Sequence, residues 1–262
     1  MTLDFSCPVA AWNHVTVPFA GFDDWRKQVV AQRQSASLAQ TSKLGDQQTM
    51  ASAEAMFRAI DAAGWQGRSF ENWGIVSAPQ FLGRMTVAAA VERYRAQEVR
   101  GTSPRHIPTL SQHAVAGTLS VIFQCRGPCF GAGGSQGSVR DALVTAASLV
   151  SSGLAAGVWV TFSQWSPEPL PQRSEEENMG AECHAVALAV VPEDSAESQF
   201  GLGIRFRPTL CDREALPTVR EVGSFLESSA TSASWGRSLG PGLWLELRRC
   251  SGAVVTSEPR VA

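Results

Sequence analysis

Apolar runs and polar stretches alternate along this chain at the spacings of helices and strands. The clearest helix is predicted at 46–64, where Met50, Ala53 and Ile60 lie on one face at the 3.6-residue spacing. Further helices are predicted at 22–33, 83–97, 114–124, 138–153 and 216–228. Strands are predicted at 3–12, 73–79, 125–132, 156–165, 183–191, 200–210 and 242–250. This alternation predicts an α/β fold with a layered sheet.

Two connections carry no periodic pattern. Three prolines and an acidic run predict an exposed loop at 166–180, and serine and glycine predict another at 229–242. We find no internal repeat, and the final dozen residues are predicted to be frayed.

Composition narrows the class of protein. The chain has 262 residues, 44% of them hydrophobic, which is enough for one large domain or two small ones. A net charge of -2 argues against a nucleic-acid or membrane-surface protein, which needs a basic face. No apolar run approaches the roughly 18 residues of a membrane span, and the first ten residues lack a secretory signal. We therefore expect a cytoplasmic protein.

The cysteines and histidines do not indicate a metal site. The six cysteines are scattered without a CxxC pair, and none of the four histidines lies near them in a ligand spacing. We predict buried free thiols, with neither a metal nor a cofactor.

The stretch RGPCFGAGGSQGSVRDAL, residues 126–143, predicts a strand, a tight glycine turn and a helix. The segment 133–137 matches G-x-S-x-G, the pattern of a nucleophile elbow, so Ser135 is a candidate nucleophile of a serine hydrolase or acyltransferase. The histidine and acid that would follow it are His184, inside an apolar strand, and Asp141, on the next helix. This arrangement weakens the hydrolase interpretation, which we keep as the alternative.

The glycines of the same turn also suggest a dinucleotide-binding loop. That interpretation needs an acidic residue at the end of the next strand, where the sequence has Ser163 and Gln164. We therefore set it aside.

From about Trp73 to Val191 the sequence resembles the N-terminal half of β-ketoacyl synthases, the condensing enzymes of the thiolase fold. The resemblance lies in IPTLSQHAVAGTLSVIFQCRGPCFGAGGSQGSVRDAL, in SSGLAAGVWVTFSQW and in MGAECHAVALAVV, in this order. It implies half of a thiolase-like fold, with one mixed five-stranded sheet and helices on both faces. Residues 1–210 would form the synthase-like domain, and residues 211–262 an extension packed on it.

The departures from the family concern its catalytic residues. In this alignment the nucleophilic cysteine falls on Gln136, a frequent asparagine on His113 and a strand-end glutamate on Gln164. The two catalytic histidines of the family belong to its C-terminal half, for which this chain has no counterpart. Condensation needs a thiolate to carry the acyl chain and imidazoles to assist decarboxylation. We therefore expect no catalytic residue for condensation.

Truncated relatives without the cysteine are chain-length-factor-like proteins of bacterial aryl-polyene and related type II fatty acid and polyketide pathways. The resemblance implies that the chain pairs with an active ketosynthase, or with itself, shapes the acyl pocket and meets an acyl carrier protein. The strand at 125–132 would lie at the protomer edge. The expected pocket or interface residues are His113, Cys129, Phe130, Gly133, Gly134, Gln136 and Gln164.

Structural roles are the favoured explanation for two of these residues. Gln136 can cap the following helix, and His113 can be an ordinary core or interface histidine. Arg93, Arg95 and Arg100 could meet an acidic carrier protein, although exposed helix arginines are common.

Overall fold

The structure is a computed structural model of the chain. It describes residues 5–42, 45–101, 111–134, 137–193, 195, 202–207, 217–228, 234–238 and 244–249.

Helices and strands alternate through most of the described chain. The helices are α1 (Phe22–Arg33), α2 (Ala36–Thr41), α3 (Gln47–Ala62), α4 (Arg84–Gln97), α5 (Ala114–Phe123), α6 (Ser138–Ser151), α7 (Glu175–Asn178) and α8 (Val219–Glu227). The strands are β1 (Phe5–Pro18), β2 (Gly74–Pro79), β3 (Cys129–Gly131), β4 (Val158–Ser166), β5 (Glu182–Val190), β6 (Leu202–Arg207), β7 (Ser234–Ser238) and β8 (Trp244–Arg249).

The strands form one mixed sheet in the order β3-β2-β4-β5-β1-β6-β8-β7. β3, β2 and β4 are parallel, whereas β5 runs antiparallel to both β4 and β1. The first five strands of the chain are contiguous in this order. The predicted mixed α/β sheet is therefore confirmed.

The predicted count of five strands covers only this contiguous part, because the sheet has eight described strands. β1 is long enough to serve two partners: Val9–Pro18 pairs with β5, and Phe5–Val9 pairs with β6 on the other side. β8 and β7 extend the sheet beyond β6. The loop predicted at 229–242 is thus wrong for Ser234–Ser238, where pairing with β8 outweighs the small-residue signal.

Helices cover both faces of the sheet, as predicted. α3 and α5 pack on one face, and α6 and α8 pack on the other. The side chains of β5 alternate accordingly: Ala185, Ala187 and Ala189 face α3, while Val186, Leu188 and Val190 face α6 and α8. The alanines leave room for α3, which is buried on almost every side. Each fully buried side chain of the size of Leu188 contributes about 2 kcal/mol.

α6, the helix predicted after the glycine turn, is buried on one face only. Its inner face, with Leu143 and Ala146, is buried against the sheet. Its outer face is exposed at Val144 and Ser148, and no described element covers it. α6 is therefore an amphipathic surface helix in this chain.

Candidate functional site at the carboxyl edge of the parallel strands

The glycine turn after β3 lies at the carboxyl edge of the parallel strands. The Ala132 amide donates to the Ser77 carbonyl at 2.8 Å, and the Gly134 amide donates to the Pro79 carbonyl at 2.9 Å. A Cβ at position 133 would overlap the Pro79 carbonyl oxygen, and Gly134 has a φ of +100°, which side-chain-bearing residues rarely adopt. The described part of the turn, up to Gly134, is therefore as tight as the sequence predicts.

The two residues with predicted roles at this turn, Ser135 and Gln136, lie outside the described residues. The description resumes at Gly137, the N-cap residue of α6. Both roles remain predictions.

His113 lies beside the elbow. It is the exposed N-cap residue of α5, and its ring lies over Gly117 in the next turn. The preceding residue, Gln112, contacts Gly131 through its backbone and Gly134 through its side-chain amide, so closely that neither glycine leaves room for a Cβ. The structure thus brings His113 to the same corner as the turn.

β3 is the outermost strand on this side of the described sheet. Phe130 is 46% exposed, whereas Cys129 is half-buried against the core, and burial raises the pKa of its thiol. The strand is shorter than the predicted 125–132, because the amides of Arg126 and Gly127 donate to Glu71 and Trp73 outside the strand ladder. The predicted edge position agrees with this order.

Gln164 also lies at the carboxyl edge, one residue beyond Ser163, which pairs with Pro79. Its side-chain oxygen accepts a hydrogen bond from the Val219 amide at 3.1 Å. Val219 is the first residue of α8, so Gln164 satisfies an amide at the helix start. Its observed role is to hold α8 on the sheet.

A buried glutamine connects this edge of the sheet to α3 by hydrogen bonds. Gln48, in the first turn of α3, donates to the Gln80 carbonyl and accepts from the Ser163 hydroxyl, both at 3.0 Å. Its amide therefore connects α3 to the carboxyl ends of β2 and β4. Nothing in the hydrophobic pattern identified this residue.

Two stacked histidines lie under α8, and the sequence suggested a role for only one of them, His184, in the hydrolase alternative. The rings of His14 and His184 are 5.6 Å apart and nearly parallel. His14 Nδ1 is 2.8 Å from a Glu227 carboxylate oxygen. Burial lowers the pKa of His184, and the charge of His14 lowers it further.

This arrangement argues against the predicted alternative of a serine hydrolase. His184 Nδ1 is 3.2 Å from the Thr16 hydroxyl, and its ring is almost fully buried. Asp141 instead forms an ion pair with Arg140 at 2.7 Å. The two residues available to complete a triad thus have other partners.

Two buried carboxyl groups, Asp46 and Glu168, line a cavity at the start of α4. The cavity has a volume of about 20 Å³, which is enough for one water molecule. Burial raises the pKa of Asp46 to about 6, although backbone amides, including that of Gly83, donate to it. Burial and the charge of Asp46 raise the pKa of Glu168 to about 7, while Arg84, 3.8 Å away, lowers it. The sequence placed Glu168 in an exposed loop, which is wrong for this side chain.

No cluster of three or more histidine, cysteine or acidic residues within the described ranges could hold a metal ion.

Comparisons with known proteins give structural matches only. No family model matches the sequence, and no curated protein does. A type II polyketide ketosynthase complex with its acyl-carrier protein, AntDE:AntF, matches with a TM-score of 0.58 at 12% identity, over 79% of this chain and 70% of that one. A complex of the ketosynthase ApeO with its chain length factor ApeC from Xenorhabdus doucetiae matches with a TM-score of 0.56 at 12% identity. The ishigamide ketosynthase/chain length factor matches with a TM-score of 0.52 at 16% identity.

The chain therefore has the thiolase-like fold of ketosynthases and their chain length factors. It covers 64% of the ishigamide chain, and 78% of its own length is matched there. In the Xenorhabdus complex, 94% of this chain matches the whole of one chain. No described helix has the length and apolar character required to cross a membrane.

Proposed function

We propose that this chain is a non-catalytic ketosynthase-like subunit of the chain-length-factor kind. It pairs with an active ketosynthase of bacterial type II fatty acid or polyketide biosynthesis, such as an aryl-polyene pathway, and helps to shape the acyl pocket. The observation that carries the proposal is the match with the full length of one chain in a ketosynthase–chain length factor complex. A cytoplasmic location and an encounter with an acyl carrier protein belong to the same proposal.

The residues available support the proposed absence of catalysis. The resemblance aligns the nucleophile with Gln136, and an amide cannot carry an acyl group as a thioester. Among the described histidines, His14 and His184 are packed under α8, and His113 is exposed at the elbow. Burial raises the pKa of both Cys125 and Cys129, which disfavours their thiolates.

A partner is supported by the surface around β3. The outer backbone of β3 faces no described strand, and edges of this kind pair readily with another chain. The exposed apolar side chains Phe130 and Val144 lie on β3 and on the outer face of α6. An active ketosynthase that covers this surface would bury both residues.

Co-expression with a full-length type II ketosynthase from the same organism tests the proposal. We expect the two chains to co-purify, and Phe130→Asp to weaken the complex at least tenfold, because a charge would be buried at its centre. Met179→Asp is the matched control, since Met179 is 52% exposed in the connection between β4 and β5. Affinities would be measured by sedimentation or by titration of the purified chains.

The same preparations test catalysis. The isolated chain should turn over neither malonyl- and acyl-loaded carrier protein nor short activated esters. Separate elution of chain and ketosynthase would overturn the subunit proposal. Ester turnover that Ser135→Ala abolishes would support the hydrolase instead.

A further inference from the structure

α4 is a helix with almost no support from the described part of its chain. None of its fourteen residues is buried. Val87, Val91 and Tyr94 are 42%, 43% and 52% exposed. They are spaced i, i+4 and i+7 and therefore form one apolar stripe along the helix. Such a stripe normally faces a packed surface.

The N-terminal end of α4 is anchored to the rest of the protein, whereas its apolar stripe is exposed. The Asp46 carboxylate accepts a hydrogen bond from the amide of Gly83, the N-cap residue of α4. Arg84, the first helical residue, lies 3.8 Å from Glu168. From Val91 to Glu98 every residue is exposed. Since an isolated helix of this length is only marginally stable in water, the projecting part gains stability from a surface that covers it.

The area that a stable interface buries indicates which surface covers the apolar stripe of α4. β3 has three residues and is thus about 10 Å long. A stable interface buries about 800 Å² per partner, a patch roughly 28 Å across, so the β3 edge alone is too small. α4 leaves the carboxyl end of β2, the neighbour of β3, and its fourteen residues span about 21 Å. α4 therefore adds to the β3 edge a length of the order that such a patch requires.

We propose that the stripe of Val87, Val91 and Tyr94 docks on the same ketosynthase subunit that covers the β3 edge, an inference that rests on the proposed function. α4 carries three arginines and one glutamate (Arg84, Arg93, Arg95 and Glu92). The partner's surface around the docked helix is therefore acidic at its rim. Asp46 and Glu168 fix the direction in which the helix leaves the body.

The test places the same charge on opposite faces of α4. Val91→Asp introduces a carboxylate into the stripe, and Ala89→Asp introduces one on the opposite, also exposed, face. Ala89→Asp lowers helix propensity and Val91→Asp leaves it nearly unchanged, so weaker binding by Val91→Asp alone cannot come from a weaker helix. We expect Val91→Asp to weaken the complex with the co-expressed ketosynthase at least tenfold and Ala89→Asp to change it less than twofold.

A second variant removes apolar area without weakening the helix. Val91→Ala with Tyr94→Ala keeps or improves helix propensity, and we still expect several-fold weaker binding. Thermal unfolding of the isolated variants should match that of the wild type.

The outcomes separate this inference from the proposed function. If Phe130→Asp weakens the complex and Val91→Asp does not, the docking of α4 is overturned while the subunit proposal stands. If the wild-type chains do not associate, both fail. If Val91→Asp instead disrupts self-association of a chain that binds no ketosynthase, the occupant is a second copy and the inference is wrong as stated.

Discussion

At the scale of single residues, a buried carboxylate in α3 is surrounded by arginines. Glu54, 2% exposed within α3, accepts two hydrogen bonds from Arg33 at 2.9 Å and one from Arg58 at 2.7 Å. Arg33 also pairs with Asp61 and stacks over Phe57. A buried carboxylate is tolerated only when cations and donors surround it. Arg33 therefore fixes the end of α1 against α3.

Arg33→Ala should lower the free energy of unfolding by about 3 kcal/mol, because Glu54 would remain buried with one partner instead of two. Lys27→Ala is the control, since the Lys27–Asp24 pair is exposed and should contribute little to stability. Urea denaturation of both variants measures the difference. Equal effects would mean that Arg58 alone satisfies Glu54.

At the scale of elements, the sequence predicted the helices and turns whose signals lie within a few residues of one another. The observed helix α3 agrees with its 3.6-residue spacing, and the elbow agrees with its glycines, because both signals lie within a few residues. Ser174 and Glu177 form a capping box that could have predicted α7 inside the supposed loop. β7 had no comparable signal, because its hydrogen bonds come from β8.

Polar contacts between distant elements were harder to predict. The pairs Gln164–Val219 and His14–His184 join positions 55 and 170 residues apart, and no spacing rule connects them. The roles of Ser135 and Gln136 remain predictions from sequence. The candidate site was therefore predictable at its turn but not in the groups that surround it.

The packing of α8 on the sheet depends on the absence of a side chain at Gly223. A Cβ at position 223 would lie 2.6 Å from the His14 ring. Gly223→Ala should therefore destabilise the protein by about 1–2 kcal/mol, despite the higher helix propensity of alanine. Ser224→Ala, one residue away on the exposed side, should be neutral within a few tenths of a kcal/mol.

Hydrogen exchange of the α8 amides distinguishes the two variants. Loss of protection in Gly223→Ala alone would support close contact between α8 and the histidines. Equal protection in both would contradict it.

At the scale of the whole molecule, buried groups make stability depend on pH in opposite directions. The pKa of Asp46 is raised to about 6 and that of Glu168 to about 7, so both bind protons more tightly in the folded chain. Their contribution to the free energy of unfolding is fully present below about pH 4 and is lost as the pH rises through 6 and 7. The lowered pKa of His184 acts oppositely: its contribution is present above about pH 6.5 and is lost as the pH falls.

Glu168→Gln separates these effects, because an amide keeps the shape of the side chain but cannot ionise. At pH 8 the variant should be more stable than the wild type by about 1 kcal/mol. This is less than the roughly 3 kcal/mol of the full pKa shift, because the side chain keeps 18% exposure and solvent screens its charge. At pH 4.5 the difference should nearly vanish, since the wild-type carboxyl is then protonated. Urea unfolding at both pH values measures the difference in stability between variant and wild type, and Glu176→Gln, at an exposed position, is the control. A Glu168→Gln variant less stable than the wild type at pH 8 would mean that Arg84 stabilises the ionised carboxylate more than burial disfavours it.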